Sequence, residues 1–94
     1  MAKGLIISRS AYLDIDRIIK FNNNRNKSDI YSRRIIRALH RKFNQIIENP
    51  FIGIRTSKPA ILLLIWNQFY IFYQVKERTI NIVSIHHQKE NNNL

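Results

Sequence analysis

The sequence predicts a two-layer α+β domain with the element order β-α-α-β-β-β, in which a two-helix hairpin packs on one face of a small, mostly antiparallel four-stranded sheet. Three observations support this prediction. A short apolar run precedes two segments with helical periodicity, Pro50 follows the second segment, and residues 60–87 hold three strand-sized runs rich in β-branched and aromatic residues. A chain of 94 residues suffices for one domain. We expect that domain to span residues 1–87, with a polar, mobile tail at 88–94.

The first strand, residues 5–8, leads directly into the first helix. The hydroxyl of Ser8 or Ser10 can cap this helix by accepting a backbone N–H. Residues 22–27 contain no apolar side chain, so the helix is expected to end near Asn22. On a 3.6-residue period the predicted buried face comprises Ala11, Tyr12, Ile15, Ile18 and Ile19, whereas Asp14, Arg17 and Lys20 point away from it.

The second helix is predicted to begin at a Ser28 cap, with Asp29 near its positive end, and to end near Asn49. Its predicted buried stripe is Ile35, Ile36, Leu39, Phe43, Ile46 and Ile47. The opposite face carries a basic ridge of Arg33, Arg34, Arg37 and Arg41. Such a ridge is either an ordinary solvated face or a surface for nucleic acid or an acidic protein. Residues 51–59 are predicted to form a loop in which Gly53 permits an unusual backbone angle.

The three remaining runs, Ala60–Trp66, Phe69–Val75 and Thr79–His86, are apolar on both faces. Alternation places Tyr73 on the face assigned to the helices and Tyr70 and Phe72 on the open face. Two helices cover only one face of such a sheet. We therefore expect an open apolar patch that binds a partner, formed by Leu62, Leu64, Trp66, Tyr70 and Phe72.

Composition limits the classes of function. Sixteen Lys and Arg against six Asp and Glu give a net charge of +10, which favours polyanions or an acidic protein as partner. The absence of cysteine excludes disulfides and thiolate metal sites. The adjacent His86 and His87 lack a third His or a suitably spaced carboxylate, so we expect no metal and no cofactor. The longest apolar run is far shorter than the ~20 residues of a membrane helix, and we expect a cytoplasmic protein.

Four motifs occur in an order that resembles a known family. They are Ser8 followed by Ala11-x-x-Asp14-Ile15-x-x-Ile18, then Asn49-Pro50-x-x-Gly53, then the strand Tyr70-Ile71-Phe72-Tyr73-Gln74-Val75, and finally the ending IVSIHHQKENNNL. Together they resemble the RelE/ParE superfamily of toxins from bacterial type II toxin–antitoxin modules. The resemblance implies the fold predicted above and a cognate acidic antitoxin as partner. It implies as target either DNA gyrase or mRNA, which some members of the superfamily cleave on the ribosome.

The two targets require different chemistry. Cleavage of RNA by its own 2′-hydroxyl needs an acid, a base and cationic groups but no metal. The candidates for such a site are His86, His87, Lys89, Arg55 and Lys58. Alternation places the two histidines on opposite sides of the strand.

In nuclease members of the superfamily an Arg stands where this chain has Tyr70, and its absence favours inhibition of gyrase. A ribosome-dependent mRNA endoribonuclease is the alternative. A non-toxic basic module that binds nucleic acid through Arg34, Arg37 and Arg41 is the second alternative.

Overall fold

The computed structural model describes residues 4–26 and 29–87, which form two helices and five strands. In chain order these are β1 (Gly4–Ile7), α1 (Arg9–Asn26), α2 (Ile30–Glu48), β2 (Ile54–Arg55), β3 (Ile61–Trp66), β4 (Phe69–Val75) and β5 (Thr79–His87). The predicted α+β class and the order of the predicted elements are confirmed. The predicted strand count is wrong by one strand, because β2 lies where a loop was expected.

The five strands form one mixed sheet in the order β1-β5-β4-β3-β2. The helical hairpin connects β1 at one edge of the sheet to β2 at the other edge, and β1 pairs in parallel with β5. The other three pairings are antiparallel, as the sequence predicts for most of the sheet. The added strand consists of Ile54 and Arg55, which pair with Leu63 and Leu62. Two residues are too few to produce a period-two pattern, so the sequence contains no signal for this strand.

The first helix continues through the asparagine-rich segment to Asn26, beyond its predicted end near Asn22. Contacts with α2 explain the difference. The buried Ser32 hydroxyl lies 2.6 Å from Asn23 Oδ1 and 3.3 Å from the Ile19 carbonyl oxygen. Tertiary contacts of this kind outweigh the low helix propensity of asparagine.

The second helix begins at Ile30 after Asp29, whose side chain makes no capping hydrogen bond but pairs with Arg33 at 2.8 Å. The predicted Ser28 cap and the predicted mobile tail at 88–94 lie outside the described residues. The helix ends at Glu48, and the Asn49 N–H donates to the Gln45 carbonyl. This end agrees with the prediction from Pro50.

The core lies between the two helices and the inner face of the sheet. Its buried members are Ala11, Ile18, Ile35, Leu39, Phe43, Ile46, Phe69, Ile71, Tyr73, Ile80, Ile82 and Ile85. The predicted inner face of β4 is confirmed. Four of the six residues of the predicted stripe of α2, namely Ile35, Leu39, Phe43 and Ile46, belong to the core, and Ile47 packs against it. The predicted face of α1 is wrong at two positions, because Tyr12 is 60% exposed and Asp14 only 6% exposed.

Asp14 is buried because β5 is longer than its neighbour β1. After β1 ends at Ile7, no strand among residues 4–26 and 29–87 pairs with the outer edge of β5, and the start of α1 takes its place. The Ser8 N–H donates to the Ile82 carbonyl (3.0 Å), and the Ser8 hydroxyl donates to the Val83 carbonyl (2.9 Å). One turn further on, Asp14 Oδ2 accepts the Ile85 N–H (3.0 Å). These bonds satisfy backbone groups of β5 that would otherwise be buried without partners.

Both residues also stabilise α1 itself. Ser8 Oγ accepts the Ala11 N–H at 3.0 Å, which confirms the predicted cap. Asp14 Oδ1 accepts a hydrogen bond from Arg17 Nη1 at 2.9 Å, so each carboxylate oxygen has a donor. The first helix is therefore tied to β5 by polar contacts in addition to apolar packing.

A second polar contact joins the Asn-Pro-x-x-Gly segment to the core. The buried Tyr73 hydroxyl donates to the Pro50 carbonyl and accepts the Gly53 N–H, both at 2.8 Å. A Cβ atom at position 53 would lie 2.6 Å from Tyr73 Oη and 3.0 Å from the Leu63 carbonyl oxygen. Gly53 does not have a positive φ, so the predicted unusual backbone angle is wrong. Glycine is needed here because the Tyr73 ring leaves no room for a side chain.

Replacing Asp14 tests the contact between α1 and β5. We expect Asp14→Ala to lower the free energy of unfolding by about 1–3 kcal/mol, because it leaves the buried Ile85 N–H without an acceptor. Asp14→Asn retains an acceptor and should lose less. The measurement is urea unfolding. Asp16→Ala is the control, since it removes an exposed pair with Lys20 that is worth about 0–1 kcal/mol. Equal losses for Asp14→Ala and Asp16→Ala would contradict the assignment.

Replacing Tyr73 tests the second contact through its pH dependence. Burial raises the pKa of the Tyr73 hydroxyl above its ordinary value of 10.0, although the hydrogen bond from Gly53 partly lowers it. We expect Tyr73→Phe to cost about 1–3 kcal/mol at neutral pH, because Pro50 and Gly53 lose their partner.

Because folding raises the pKa of Tyr73, its neutral hydroxyl contributes its full stabilisation of the folded state below pH 10.0. This stabilisation is lost as the pH rises through the pKa of Tyr73 in the folded state. The difference in unfolding free energy between the wild type and Tyr73→Phe should therefore shrink in alkaline solution. Denaturant titrations from about pH 7 to about pH 11 measure it. The exposed Tyr12→Phe is the matched control. A difference that stays constant over this pH range would contradict the prediction.

Candidate functional site

The pairing of β3 with β4 decides which residues face the helices. Directly opposite residues of an antiparallel pair lie on the same face. Leu62 is opposite Tyr73, Leu64 opposite Ile71 and Trp66 opposite Phe69. These three residues of β3 therefore lie on the helix-covered face, where they pack against the core. Their predicted placement on the open face beside Tyr70 and Phe72 is wrong.

The open face of the sheet consists of the alternate residues. Ile61, Leu63 and Ile65 of β3 lie opposite Gln74, Phe72 and Tyr70 of β4, and the neighbouring positions of β5 are Asn81, Ser84 and His86. The residues from β3 were missed because every side chain from Ala60 to Trp66 is apolar. The signal that could have found them is the two-residue turn Asn67-Gln68, which pairs Trp66 with Phe69 and thereby sets the register.

A groove on this open face, which we call the His86 groove, has a volume of about 340 Å³. It is lined by Thr56, Ser57, Lys58, Ile61, Phe72, Val83, Ser84 and His86. Val83 is the extra residue of a β-bulge, since Phe72 pairs with Ser84 and Tyr73 with Ile82. The His86 ring meets the Phe72 ring edge-on, with centroids 5.9 Å apart.

The structure does not bring the predicted catalytic residues together at one site. Lys58 and His86 line the same groove. The His87 ring lies on the helix-covered face and contacts Phe69 edge-on at 4.9 Å. Arg55 lines a different groove, of about 480 Å³, together with Leu62 and Val75 of the inner face. Lys89 lies outside the described residues.

The chemistry that the His86 groove can perform is limited. The Lys58 ammonium is a compact cation for a phosphate or carboxylate, and an imidazole can exchange a proton near neutral pH. Among residues 4–26 and 29–87, no three His, Cys, Asp or Glu residues lie close enough to hold a metal ion. Within the same residues, no helix is long and apolar enough to cross a membrane.

A second groove, which we call the arginine groove, lies between α2 and the β3–β4 hairpin and has a volume of about 350 Å³. It is lined by Tyr31, Arg34, Ile35, Arg37, Ala38, Arg41, Trp66, Asn67 and Phe69. Trp66 stacks on Phe69 with ring centroids 5.2 Å apart and planes inclined by 15°. Asn67 has a φ of 54°, a conformation that asparagine tolerates better than most residues.

Three of the four arginines of the predicted basic ridge line the arginine groove. The fourth, Arg33, pairs with Asp29 and does not line it. Sequence reasoning also missed Tyr31. Its signal is the spacing of Tyr31, Arg34, Ala38 and Arg41, which places these four residues along one side of a helix.

Solved structures confirm the fold. The chromosomal ParDE toxin–antitoxin system from P. aeruginosa is similar at 20% identity, with 92% of this chain and 96% of that chain covered and a TM-score of 0.67. The toxin–antitoxin complex RelBE2 from Mycobacterium tuberculosis is similar at 12% identity, with 93% and 99% covered and a TM-score of 0.68. A comparison with curated protein sequences found no match.

The family assignment comes from the sequence of residues 5–92. These residues match the family described as "ParE toxin of type II toxin-antitoxin system, parDE". The match includes both helices and, apart from Gly4 at the start of β1, the five described strands, and it confirms the resemblance to the RelE/ParE superfamily. The chain therefore belongs to the ParE toxin family of type II toxin–antitoxin systems.

Proposed function

We propose that this chain is a growth-inhibiting toxin that acts by ParE-like inhibition of DNA gyrase and is neutralised by a cognate acidic antitoxin. Membership of the ParE toxin family supports the toxin class. The observation that carries the choice of target is the separation of Arg55 and His87 from the groove that holds Lys58 and His86.

Ribosome-dependent cleavage of mRNA needs an acid, a base and cationic groups around one phosphate. Of the predicted catalytic residues that the structure describes, the His86 groove holds only Lys58 and His86. Tyr70 stands on the open face where the nuclease branch of the superfamily has an arginine. A tyrosine cannot supply the permanent charge and the forked donors of a guanidinium. Loss of one such contact costs about 3 kcal/mol of transition-state stabilisation.

The exposed apolar side chains of the open face support a protein as the target. Ile54 is 57% exposed and Ile65 is 53% exposed, and both lie beside half-buried Leu63, Tyr70 and Phe72 on this face. Apolar surface of this kind marks sites of protein–protein contact. A phosphate backbone would instead require a row of basic side chains.

The antitoxin is the second proposed partner, and the net charge of +10 supports an acidic one. The predicted contact residues lie on both faces of the sheet, with Leu62, Leu64 and Trp66 on the inner face and Tyr70 and Phe72 on the open face. An antitoxin that touched all five would have to contact both faces of the sheet.

The endoribonuclease remains the second candidate, because one observation favours it. Lys58, His86, Thr56 and Ser84 line the same groove. A cation and a proton donor in one groove could hold and protonate a phosphodiester. The non-toxic nucleic-acid-binding module also remains a prediction, and oligonucleotide binding tests it.

Induction of the protein in a bacterial host tests the choice of target. We expect DNA synthesis to fall before protein synthesis in pulse-labelling experiments, because gyrase inhibition stops replication forks first. The purified chain should also inhibit supercoiling by purified gyrase. A prompt fall in protein synthesis without DNA damage would contradict the gyrase assignment.

Replacing His86 separates the two candidate functions. We expect His86→Gln to arrest growth as strongly as the wild type, because only the nuclease candidate needs its proton transfer. His40→Gln is the matched control, since His40 is exposed on α2 outside the grooves described above. Cleavage of mRNA on purified ribosomes is measured in parallel. A loss of growth arrest specific to His86→Gln, with cleavage reduced by about a hundredfold or more, would favour the endoribonuclease instead.

A further inference from the structure

We propose that DNA gyrase binds the open face of the sheet through an uncharged apolar patch, and that Ile54 and Ile65 contribute most to this contact. The patch, which we call the isoleucine patch, consists of Ile54, Leu63, Ile65, Tyr70 and Phe72. The identity of the partner as gyrase rests on the proposed function. The choice of surface rests on the sheet register, the exposure and the charge of these residues.

The register of the sheet makes the isoleucine patch continuous over three strands. Directly opposite residues of an antiparallel pair lie on the same face, with Cβ atoms about 5 Å apart. Ile54 of β2 is opposite Leu63 of β3, which in turn is opposite Phe72 of β4. The next row places Ile65 of β3 opposite Tyr70 of β4. The five side chains therefore form one surface at the β2 side of the open face.

Two residues of the isoleucine patch are much more exposed than the others. Ile54 is 57% exposed and Ile65 is 53% exposed, whereas Leu63, Tyr70 and Phe72 are half-buried. The stabilisation gained on association grows with the apolar area that is removed from water. A protein that covers the whole patch therefore gains most from Ile54 and Ile65, and a few such residues typically provide most of the binding energy of an interface.

The charge of the chain decides between the possible occupants. None of the five side chains is charged at neutral pH, so the isoleucine patch offers no counter-charge to the phosphates of a nucleic acid. A second copy of the chain would bring together two molecules that each carry a net charge of +10 and repel each other. The patch fits a protein partner whose contact surface is apolar, which supports the target as its occupant.

The isoleucine patch can be tested separately from the grooves. Ile54 and Ile65 line neither the His86 groove nor the arginine groove. Substitutions at these two positions therefore leave the lining of both grooves intact. A loss of gyrase inhibition in such variants reports on the patch and not on the proton transfer or the basic charge of the grooves.

Double substitutions provide the test and its controls. Ile54→Thr combined with Ile65→Thr removes apolar surface but keeps β-branched residues, which strands favour. Ile54→Val combined with Ile65→Val is the conservative variant, because it keeps the patch apolar. The matched control combines Leu13→Gln and Phe21→Gln on α1, where the side chains are 58% and 52% exposed. Circular dichroism checks that each variant is folded.

The measurement is the concentration of the chain that halves DNA supercoiling by purified gyrase. We expect the threonine double variant to require a concentration about tenfold higher or more, because it loses both main contacts. The valine double variant and the glutamine control should stay within about twofold of the wild type. If the threonine double variant does not fold, Ile65→Thr alone is compared with Leu13→Gln, and a rise of about threefold or more is expected.

Direct binding to gyrase in the absence of DNA, measured by surface plasmon resonance, should rank the variants in the same order. We expect the affinity to fall less than about tenfold between about 50 and about 200 mM salt, because the contact is apolar. A contact made mainly through phosphates would lose about a thousandfold or more over this range.

Four results would overturn the proposal while the wild type still inhibits gyrase. They are unchanged inhibition by the threonine variant, equal weakening by the threonine variant and the glutamine control, equal weakening by the threonine and valine variants, or binding that requires DNA and has the salt dependence of a phosphate contact. Failure of the proposed function would look different, because the wild type itself would not inhibit gyrase. That result would disprove the gyrase assignment and this proposal together.

Discussion

The hydrogen bond from the Ile85 N–H to Asp14 fixes the first helix against the last strand, and the position of the helical layer follows from this contact. The outer edge of β5 loses its partner strand after Ile82, and a buried strand edge without partners is costly. Ser8 and Asp14 satisfy that edge, which requires α1 to begin at the end of β1 and to lie against β5. The helical hairpin therefore covers one face of the sheet and leaves the other face open.

A second constraint connects the loop before β2 to the same core. Tyr73 binds Pro50 and Gly53, and the chain then pairs with β3 through Ile54 and Arg55. Thr56 follows and donates a hydrogen bond to the Ile61 carbonyl at 2.9 Å. In this way the loop residues Thr56 and Lys58 are held in the groove that His86 of β5 also lines. The motifs by which the chain resembles its superfamily are thus largely structural, so they identify the fold but say little about the target.

The two grooves differ in chemistry because different elements form them. The open face takes its side chains from β3, β4 and β5, and those from β3 are all apolar. Its groove adds the basic residues Lys58 and His86. The arginine groove takes its charge from α2, whose solvent-facing side is strongly basic, and its floor from the hydrophobic core. The described part of the chain therefore carries two grooves of unlike character.

The sequence by itself determined the α+β class, the helix that ends before Pro50, the Ser8 cap and the inner face of β4. Each of these follows from local periodicity or from one residue's backbone chemistry. The true end of α1, the short strand β2 and the burial of Asp14 were decided by tertiary contacts, with Ser32, with β3 and with Ile85 respectively.

In the candidate site, too, the sequence determined some features and tertiary contacts decided the others. The sequence indicated Lys58, His86 and the arginines of α2 as functional candidates, but it could not show that Arg55 and His87 lie apart from the first two. It also placed Leu62, Leu64 and Trp66 on the wrong face of the sheet. The physical reason is that alternation tells which residues of one strand share a side, whereas only pairing with the next strand decides which side meets the core.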